Sequence, residues 1–464
     1  MPGTETILEF IALAFRELAL FAACGFLIGA LDTLAIDMLW LRRAIRRMVG
    51  TSDAAEPVLQ DMPPSSAPGA HAVFVPAWDE ANVIGAMLET TIRRFAGQDY
   101  RLFIGCYPND RKTMDAIDAV AAVTETILRV ICPDPGPTTK ADCLNRLWLA
   151  LEDEERRTGR RFKSVILHDA EDVVHPAEIM LFDRLIDDHD LVQIPVVPLP
   201  HPKSPWVAGH YCDEFAEAHG KDLVIRDSIG AGVPSAGVGC AIARDALGIL
   251  AEARNGLPFD ADSLTEDYEL GLSLAENGKR GTFARCRDGE TGELIAVHAH
   301  FPATLGAAVR QKTRWITGIA LYGWDRLGWH GGLADFWMRL RDRSAILTAL
   351  ILLSAYFAAI LWCSLLIVHL ATGRPLPALS PLLSTMLSVN AGLLLWRLAM
   401  RAYFTGRTYG LREGVIAIPR AIVSNIIAMI SARRAMTRYI LARRGHRPVW
   451  DKTRHIFPDT SGSP

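Results

Sequence analysis

Apolar and polar positions divide this chain into an apolar beginning, a long middle in which apolar runs alternate with helical patterns, and an apolar end. Ile7 to Ile36 is largely apolar and Leu18 to Leu31 carries no charge, which supplies the ~20 residues a membrane-spanning helix needs. Glu5 and Glu9 precede the run and Leu41-Arg42-Arg43-Ala44-Ile45-Arg46-Arg47 follows it. That is the reverse of a cleaved signal, so the segment reads as a retained span with its basic end in the cytoplasm and the N-terminus outside. Ser344–Leu370 and Ser380–Met400 predict two further spans. Arg401, Arg407 and Arg412 after the third put that connection in the cytoplasm, whereas Ala371–Leu379 carries only Arg374. Val415–Ser431 has the length of a fourth span. Arg420 in its middle would cost about 2.5–3.5 kcal/mol, Pro419 weakens the helix, and the tail beyond it is strongly basic. An interfacial or re-entrant helix is expected there, leaving three spans and a cytoplasmic C-terminus.

Between the first two spans the period changes. From His71 to about His300, strand-like runs (AVFVPA, RLFIGCYP, ILRVICP, SVILHD, DLVQIPV) alternate with helical stretches at Asn82–Phe95, Lys140–Glu155 and Ala177–Asp187. This alternation predicts an α/β unit with a mostly parallel sheet covered by helices. The expected organisation is a span and basic segment over 1–48, a Pro/Ser/Ala-rich linker over 49–70, the α/β domain over 71–330, membrane and interfacial helices over 331–443, and a cytoplasmic tail over 444–464.

Composition sharpens this picture at two points. Half of the 464 residues are hydrophobic, and 49 Lys and Arg stand against 52 Asp and Glu for a net charge of -3, which gives no reason to expect a nucleic acid partner. The eight cysteines form neither a CxxC nor a zinc spacing with His, and are expected to be reduced, buried thiols.

The candidate chemistry centres on Lys163–Pro176, KSVILHDAEDVVHP. Its apolar run reads as a buried strand, which puts Asp169, Glu171 and Asp172 at the carboxyl end, where α/β sheets collect ligands. Asp169 and Glu171 are two apart and point the same way in extended backbone, an arrangement suited to a hard divalent cation; an acidic turn with an Asp helix cap is the plain alternative. Asp79 and Glu80 lie at a strand-end turn after Pro76, and Asp110 closes the next strand; helix capping and an Asx turn compete there. Lys140 opens a helix after Pro135-Gly136-Pro137, an anion-favouring position. Glu266 and Asp267 stand at a helix start, where acids also stabilise the helix itself. Gln311, Arg314 and Trp315 share one helix face, a pattern also common at membrane surfaces. Tyr211–Asp222 is a polar run whose Asp213, Glu214 and Glu217 read as a solvated face, with a bordering role at an acceptor site as the alternative. Ser235–Cys240 is a small-residue loop that lets a backbone approach a ligand closely.

In chain order these stretches resemble the membrane-embedded family 2 glycosyltransferases of GT-A fold, similar to cellulose and hyaluronan synthases. Runs such as VPAW, YPND, KADCLN, LHDAED and LTEDY resemble most the inner-membrane branch named for phage adsorption. The resemblance covers nearly the whole chain, including the WDK at Trp450. It implies a GT-A (Rossmann-like nucleotide-diphospho-sugar transferase) domain on the cytoplasmic side of the bacterial inner membrane, inserted between transmembrane helices. It further implies a UDP-sugar donor, Mg²⁺ or Mn²⁺, and inverting transfer to a growing glycan for exopolysaccharide export, with an export partner in the periplasm or outer membrane. By the same resemblance, Pro76, Asp79, Glu80 and Asp110 meet uridine, Lys140 meets phosphate or base, and Asp169 with Glu171 or Asp172 forms the metal pair. Asp267, beside Glu266, is implied as the general base; Gln311, Arg314 and Trp315 form the acceptor end, and the Ser235–Cys240 loop lies against the acceptor sugar. Single addition to a polyprenyl phosphate and a non-catalytic membrane scaffold are the rival readings. GxSxG, HExxH and P-loop motifs are missing from the sequence, which disfavours a hydrolase. Longer relatives carry a C-terminal domain associated with cyclic-di-GMP; Arg434–Arg438 reads RxxxR without the accompanying motif, so a basic segment facing anionic lipid is expected instead.

Overall fold

The computed structural model describes residues 2–49, 56–442 and 457–458. Trp450 and nearly all of the expected tail lie outside the described residues, as do 50–55 of the linker. The strands, in chain order, are β1 (His71–Pro76), β2 (Tyr100–Cys106), β3 (Ile127–Ile131), β4 (Ser164–Leu167), β5 (Leu191–Gln193), β6 (Val196–Pro198), β7 (Cys240–Ala243), β8 (Gly281–Phe283) and β9 (Val297–Ala299). The helices are α1 (Pro2–Met48), α2 (Ile84–Arg94), α3 (Arg111–Ala121), α4 (Lys140–Thr158), α5 (Glu178–Leu185), α6 (Gly209–Glu217), α7 (Leu223–Ser228), α8 (Arg244–Ala253), α9 (Glu266–Glu276), α10 (Leu305–Trp315), α11 (Gly323–Leu327), α12 (Leu333–Arg343), α13 (Ala345–Thr372), α14 (Pro381–Tyr409) and α15 (Leu411–Ala442).

Seven strands form one sheet in the order β3-β2-β1-β4-β7-β5-β8, and β6 pairs with β9 beside it. The first four strands run parallel, as the alternating pattern predicts, while β7 runs antiparallel to both β4 and β5. Buried on both faces, β1 and β4 read as continuous apolar runs because helices cover each side. One core layer packs Ile84, Met87 and Leu88 of α2 against Val73 and Val75; the other packs Leu144, Leu147 and Trp148 of α4 against Phe74 and Phe103. The stretch before β1 is no free tether from Glu56 onward. Leu59 is fully buried in the core, and its N–H donates to the Arg287 carbonyl at 2.8 Å.

Two helical stretches are interrupted by a wider π turn, at Ala218–Asp222 between α6 and α7 and at Ile316–Tyr322 between α10 and α11. Such turns re-aim side chains within an otherwise continuous helix. Both border the cavity described below.

Four helices, α1 from Glu5 on, α13, α14 and α15, are long and apolar enough to cross a membrane. The apolar part of α1 packs on α13 and α14 through Phe15, Ala19 and Ala23. Nearer its C-terminus α1 turns polar toward the α/β unit. Asp32 accepts from Trp337 Nε1 at 2.6 Å, and Asp37 accepts from Lys221 Nζ at 2.6 Å and Trp396 Nε1 at 2.8 Å. Along α15 two faces differ. Leu411, Val415, Ile418, Ile422 and Ile426 are exposed at three- and four-residue spacing, whereas Ala417, Arg420, Ile427, Ser431 and Ala435 on the opposite face are buried. The buried face touches α6 through Arg420 and α10 through Ser431, whose hydroxyl donates to the Val309 carbonyl, and Tyr439 further on donates to Asp325.

Two expectations change. Cys24 and Cys363 are exposed on the flanks of α1 and α13, where apolar surroundings rather than burial accommodate a thiol; the other six cysteines are buried and all eight are free. Asp213 and Glu217 of Tyr211–Asp222 do not belong to a solvated face either, although Glu214 is half-exposed. Asp213 and Lys221 are fully buried, Asp213 against Arg420 at 2.8 Å and Lys221 against Glu217 at 2.7 Å, because α6 is covered by α14 and α15.

Candidate active site

Beyond the carboxyl end of β4 a cavity of about 550 Å³ opens between the sheet, α9 and α10. Each wall brings one expected group. The turn after β4 contributes Asp169 and Glu171, α4 contributes Lys140 from its first position, and α9 contributes Glu266 and Asp267. Gln311, Arg314 and Trp315 come from α10.

Thr139 caps α4, its hydroxyl accepting from the Asp142 N–H at 3.2 Å, which fixes Lys140 at the helix start. Lys140 Nζ lies 2.6 Å from Asp169 Oδ1. Burial works against this ammonium, but Asp169, Glu266 and Asp267 outweigh it and push its pKa up. Lys140 is therefore a fixed cation in the cavity floor. Burial and the Asp267 carboxylate together push Glu266 up to about 7, against the pull of Lys140 and Arg314. A carboxyl raised in the folded state contributes stability that is full below its unfolded pKa and lost as pH rises through its folded one. Thermal stability should therefore fall between about pH 4.5 and 7, and Glu266→Gln should flatten that part of the profile in a pH series of unfolding midpoints. An unchanged slope in the variant would assign the pH dependence elsewhere.

Asp172 lines the same cavity and is nearly fully buried, its Oδ2 accepting from the Asp169 N–H at 2.9 Å and lying 3.1 Å from His168 Nδ1. On the other side His168 Nε2 is 2.6 Å from Glu178. Burial opposes charge on His168, yet Glu178 and Asp172 raise it to about 10. A buried imidazolium thus ties the acidic turn to α5. Among the described residues no three His, Cys, Asp or Glu side chains are grouped so as to hold a metal by themselves. Asp169 and Glu171 fit a cation that takes its remaining ligands from diphosphate oxygens and water, the common way of holding Mg²⁺.

Asp267 stands against the small-residue loop. Its Oδ1 accepts from the Tyr268 N–H at 2.7 Å, and a Cβ on Gly237 would come within 2.5 Å of its Oδ2. Gly237 also has φ +76°, a left-handed conformation that favours glycine. Gln193, at the end of β5 and fully buried, holds this loop: its carboxamide accepts from the Ala236 N–H at 2.8 Å and donates to the carbonyls of Val238 at 2.9 Å and Gly239 at 3.0 Å. Gly237→Ala is expected to displace Asp267 and to cut turnover by about 100-fold, the cost of an ångström-scale misplacement. Steady-state kinetics on the purified variant would check this, and near-normal turnover would detach Asp267 from the reaction.

On α10, Trp315 lies in an aromatic group with Tyr211 and Phe215, and Lys312 Nζ sits 5.3 Å from its ring centroid. Gln311 Oε1 is buried with no hydrogen-bond partner among the described residues. Gly318 lets the π turn after α10 close on Thr265, where a Cβ would meet the threonine hydroxyl.

Pro76, Asp79, Glu80 and Asp110 do not line this cavity; they form the neighbouring ends of β1 and β2. Asp110 caps α3, accepting from the Thr113 N–H, and also accepts from the Asp79 N–H at 2.6 Å. Asn109 exchanges two hydrogen bonds of 2.7 Å with Gly136, which joins this edge to the loop before Lys140.

The architecture is shared with known proteins. The model of the family described as Glycosyl transferase family group 2 matches residues 164–400, just over half of the chain. The chain belongs to that family. As a family group 2 glycosyltransferase it is a transferase enzyme with a GT-A domain flanked by helices long and apolar enough to cross a membrane. Bacteriophage adsorption protein B of Escherichia coli (strain K12) is 34% identical over 473 residues, covering 96% of this chain and 63% of the relative. Bacteriophage N4 adsorption protein B of Escherichia coli O157:H7 gives the same values. This glycosyltransferase thus spans 63% of the length of the curated relatives it matches. Among solved structures, the mannosyltransferase PcManGT of Pyrobaculum calidifontis, in complex with GDP-Man and Mn²⁺, is similar with a TM-score of 0.53. The match covers 87% of this chain and 99% of that one at 16% identity, and so speaks for the fold.

Gln193 and His168 are not recognisable as site residues from the sequence. QIPV and LHDAED contain them, but a buried Gln and a His at strand ends carry no signal of what they bridge.

Proposed function

We propose that this glycosyltransferase takes a sugar from a UDP-sugar and adds it, with inversion, to a growing glycan of exopolysaccharide type, using Mg²⁺ or Mn²⁺. The observation that carries the reading is the meeting in one cavity of the Lys140–Asp169 pair, Glu171, Asp267 and the Gln311–Arg314–Trp315 face. Asp79, Glu80 and Asp110, at the strand ends beside the cavity, would meet base and ribose, and Lys140 and Arg314 would supply positive charge for the diphosphate. A divalent cation bound by Asp169 and Glu171 would stabilise the diphosphate as a leaving group. Asp267 takes the proton of the acceptor hydroxyl, which attacks the face of the sugar opposite the departing diphosphate. Trp315 offers a flat apolar platform for an acceptor sugar, and Gln311 an acceptor atom for its hydroxyls.

The chain sits in the bacterial inner membrane with the α/β unit on the cytoplasmic side, where the basic end of α1 is favoured. Its α15 lies in the interface rather than across the bilayer: one face is occupied by the α/β unit, and the exposed apolar face enters lipid. The growing chain leaves the site toward a partner in the periplasm or outer membrane.

The test is nucleotide release by the purified full chain in detergent, across UDP- and GDP-sugars with Mn²⁺, Mg²⁺ or chelator. Release of UDP from one donor, stopped by chelator and accompanied by a lengthened glycan, is expected. Release confined to GDP-sugars would overturn the donor, and undiminished release in chelator would overturn the metal.

A further inference from the structure

On the side of the Ala218–Asp222 turn away from the catalytic cavity, arginines outnumber the acceptors that the described residues offer them. Arg43 and Arg47 stand one turn apart on the last turns of α1, Arg285 follows β8, and Arg407 ends α14. These four guanidinium groups surround one carboxylate, Glu56. Both oxygens of that carboxylate are taken: Oε1 accepts from Arg285 at 3.0 Å and Oε2 from Arg287 at 3.0 Å. Arg407 reaches Oε1 only at 3.7 Å. The Nε atoms of Arg43 and Arg47 are buried with no hydrogen-bond partner among the described residues. Burial, then Arg43, with smaller contributions from Arg285 and Arg407, lowers the pKa of Arg47, and only Glu56 opposes them. Half-buried guanidinium groups that share one carboxylate repel one another, so this locus favours a further anion.

A pocket of about 10 Å³ remains between these side chains, walled by Trp40, Gly220 and Val224. That is room for one water-sized atom. We propose that the Arg43–Arg47–Arg407 pocket is a binding site for a phosphate group, which inserts one oxygen between the guanidinium forks and keeps its substituent outside. Guanidinium groups match phosphate in shape and charge, and two side chains one helical turn apart present their forks side by side. The pocket lies where α1 and α14 leave their apolar stretches. Lipid phosphodiesters and free phosphate share the chemistry required. Gly220 belongs to the turn whose Ala218, His219 and Asp222 line the catalytic cavity, so an occupant would buttress that wall from behind.

The test uses the full chain in uncharged detergent and measures equilibrium binding of short-chain phosphatidylglycerol, short-chain phosphatidylcholine and inorganic phosphate. Arg43→Gln/Arg47→Gln is expected to weaken phosphatidylglycerol binding by about tenfold or more, the worth of charged hydrogen bonds. Arg156→Gln/Arg160→Gln, on the exposed end of α4 and the turn after it, should leave it unchanged. Inorganic phosphate showing the same tenfold loss, with no advantage for the lipid, would support the site and name free phosphate as its source. Equal affinity in the Gln pair and the parent, or an equal loss in the α4 variant, would overturn the proposal. Should the Gln pair not fold, Arg407→Gln removes one more exposed fork and must still weaken binding several-fold; parental affinity there sinks the site.

Discussion

Asp267→Asn is expected to lower turnover by about 10²–10⁴-fold, the usual worth of a positioned general base, while donor affinity stays at the parental level. Asn is nearly isosteric and its Oδ1 can still accept from the Tyr268 N–H, so the start of α9 and the contact with Gly237 survive. What disappears is the group that receives the acceptor proton. The variant also removes a negative charge beside Lys140 and Glu266, so Glu266 should titrate below its parental value of about 7. Initial rates of nucleotide release, paired with donor binding by calorimetry, separate the two effects. A loss of affinity equal to the loss of rate would make Asp267 a donor-binding group; parental turnover would remove it from the chemistry.

The sequence reveals the α/β unit because its strands are buried on both faces and its helices on one, a difference that apolar spacing records directly. Asp169, Glu171, Asp267 and the Gln311–Trp315 face are legible for a related reason. Each stands at the end of a regular element, where the pattern breaks and the chemistry of the residue is exposed. Asp172 looks the same in sequence as Asp169, and only the position of His168 and Glu178 around it reveals a structural tie. Gln193 is similarly silent, since its partners are backbone atoms more than forty residues away. Antiparallel β7 is hidden because strand direction depends on the path between strands. The misreading of Asp213 has a different origin. Polar spacing on α6 describes a solvated helix only until another element covers it, and the covering helices lie about two hundred residues downstream in the sequence.

Those covering helices set the second large effect. Arg420→Ala is expected to destabilise the fold by about 3–5 kcal/mol, the cost of removing one partner from a buried ion pair. Arg420 has no exposed surface, donates to the Gly209 carbonyl at 2.9 Å and to Asp213 Oδ1 at 2.8 Å, and also pairs with Glu413. Gly209 makes room for it; a Cβ there would lie 2.7 Å from its guanidinium carbon. The same interaction explains how a segment with Arg420 at its centre packs as a continuous helix: the charge faces protein and is neutralised there. Burial already pushes Asp213 up to about 6 against the pull of Arg401 and Arg420. Without Arg420 its pKa rises further, and a raised carboxyl contributes stability that is present at low pH and lost as pH rises through the folded value. The variant should therefore regain part of its stability on acidification from neutral pH toward 5, more than the parent does. Replacing both partners, as Asp213→Leu with Arg420→Met, should recover only part of the loss, because it removes the unpaired carboxylate on α6 but leaves buried Arg401 without the carboxylate it faces at 3.5 Å. Thermal unfolding of the three proteins across pH would check this. An Arg420→Ala midpoint within about a degree of the parent would mean that α15 is held to the α/β unit by the apolar residues of its buried face, such as Ala417, Ile427 and Ala435, alone.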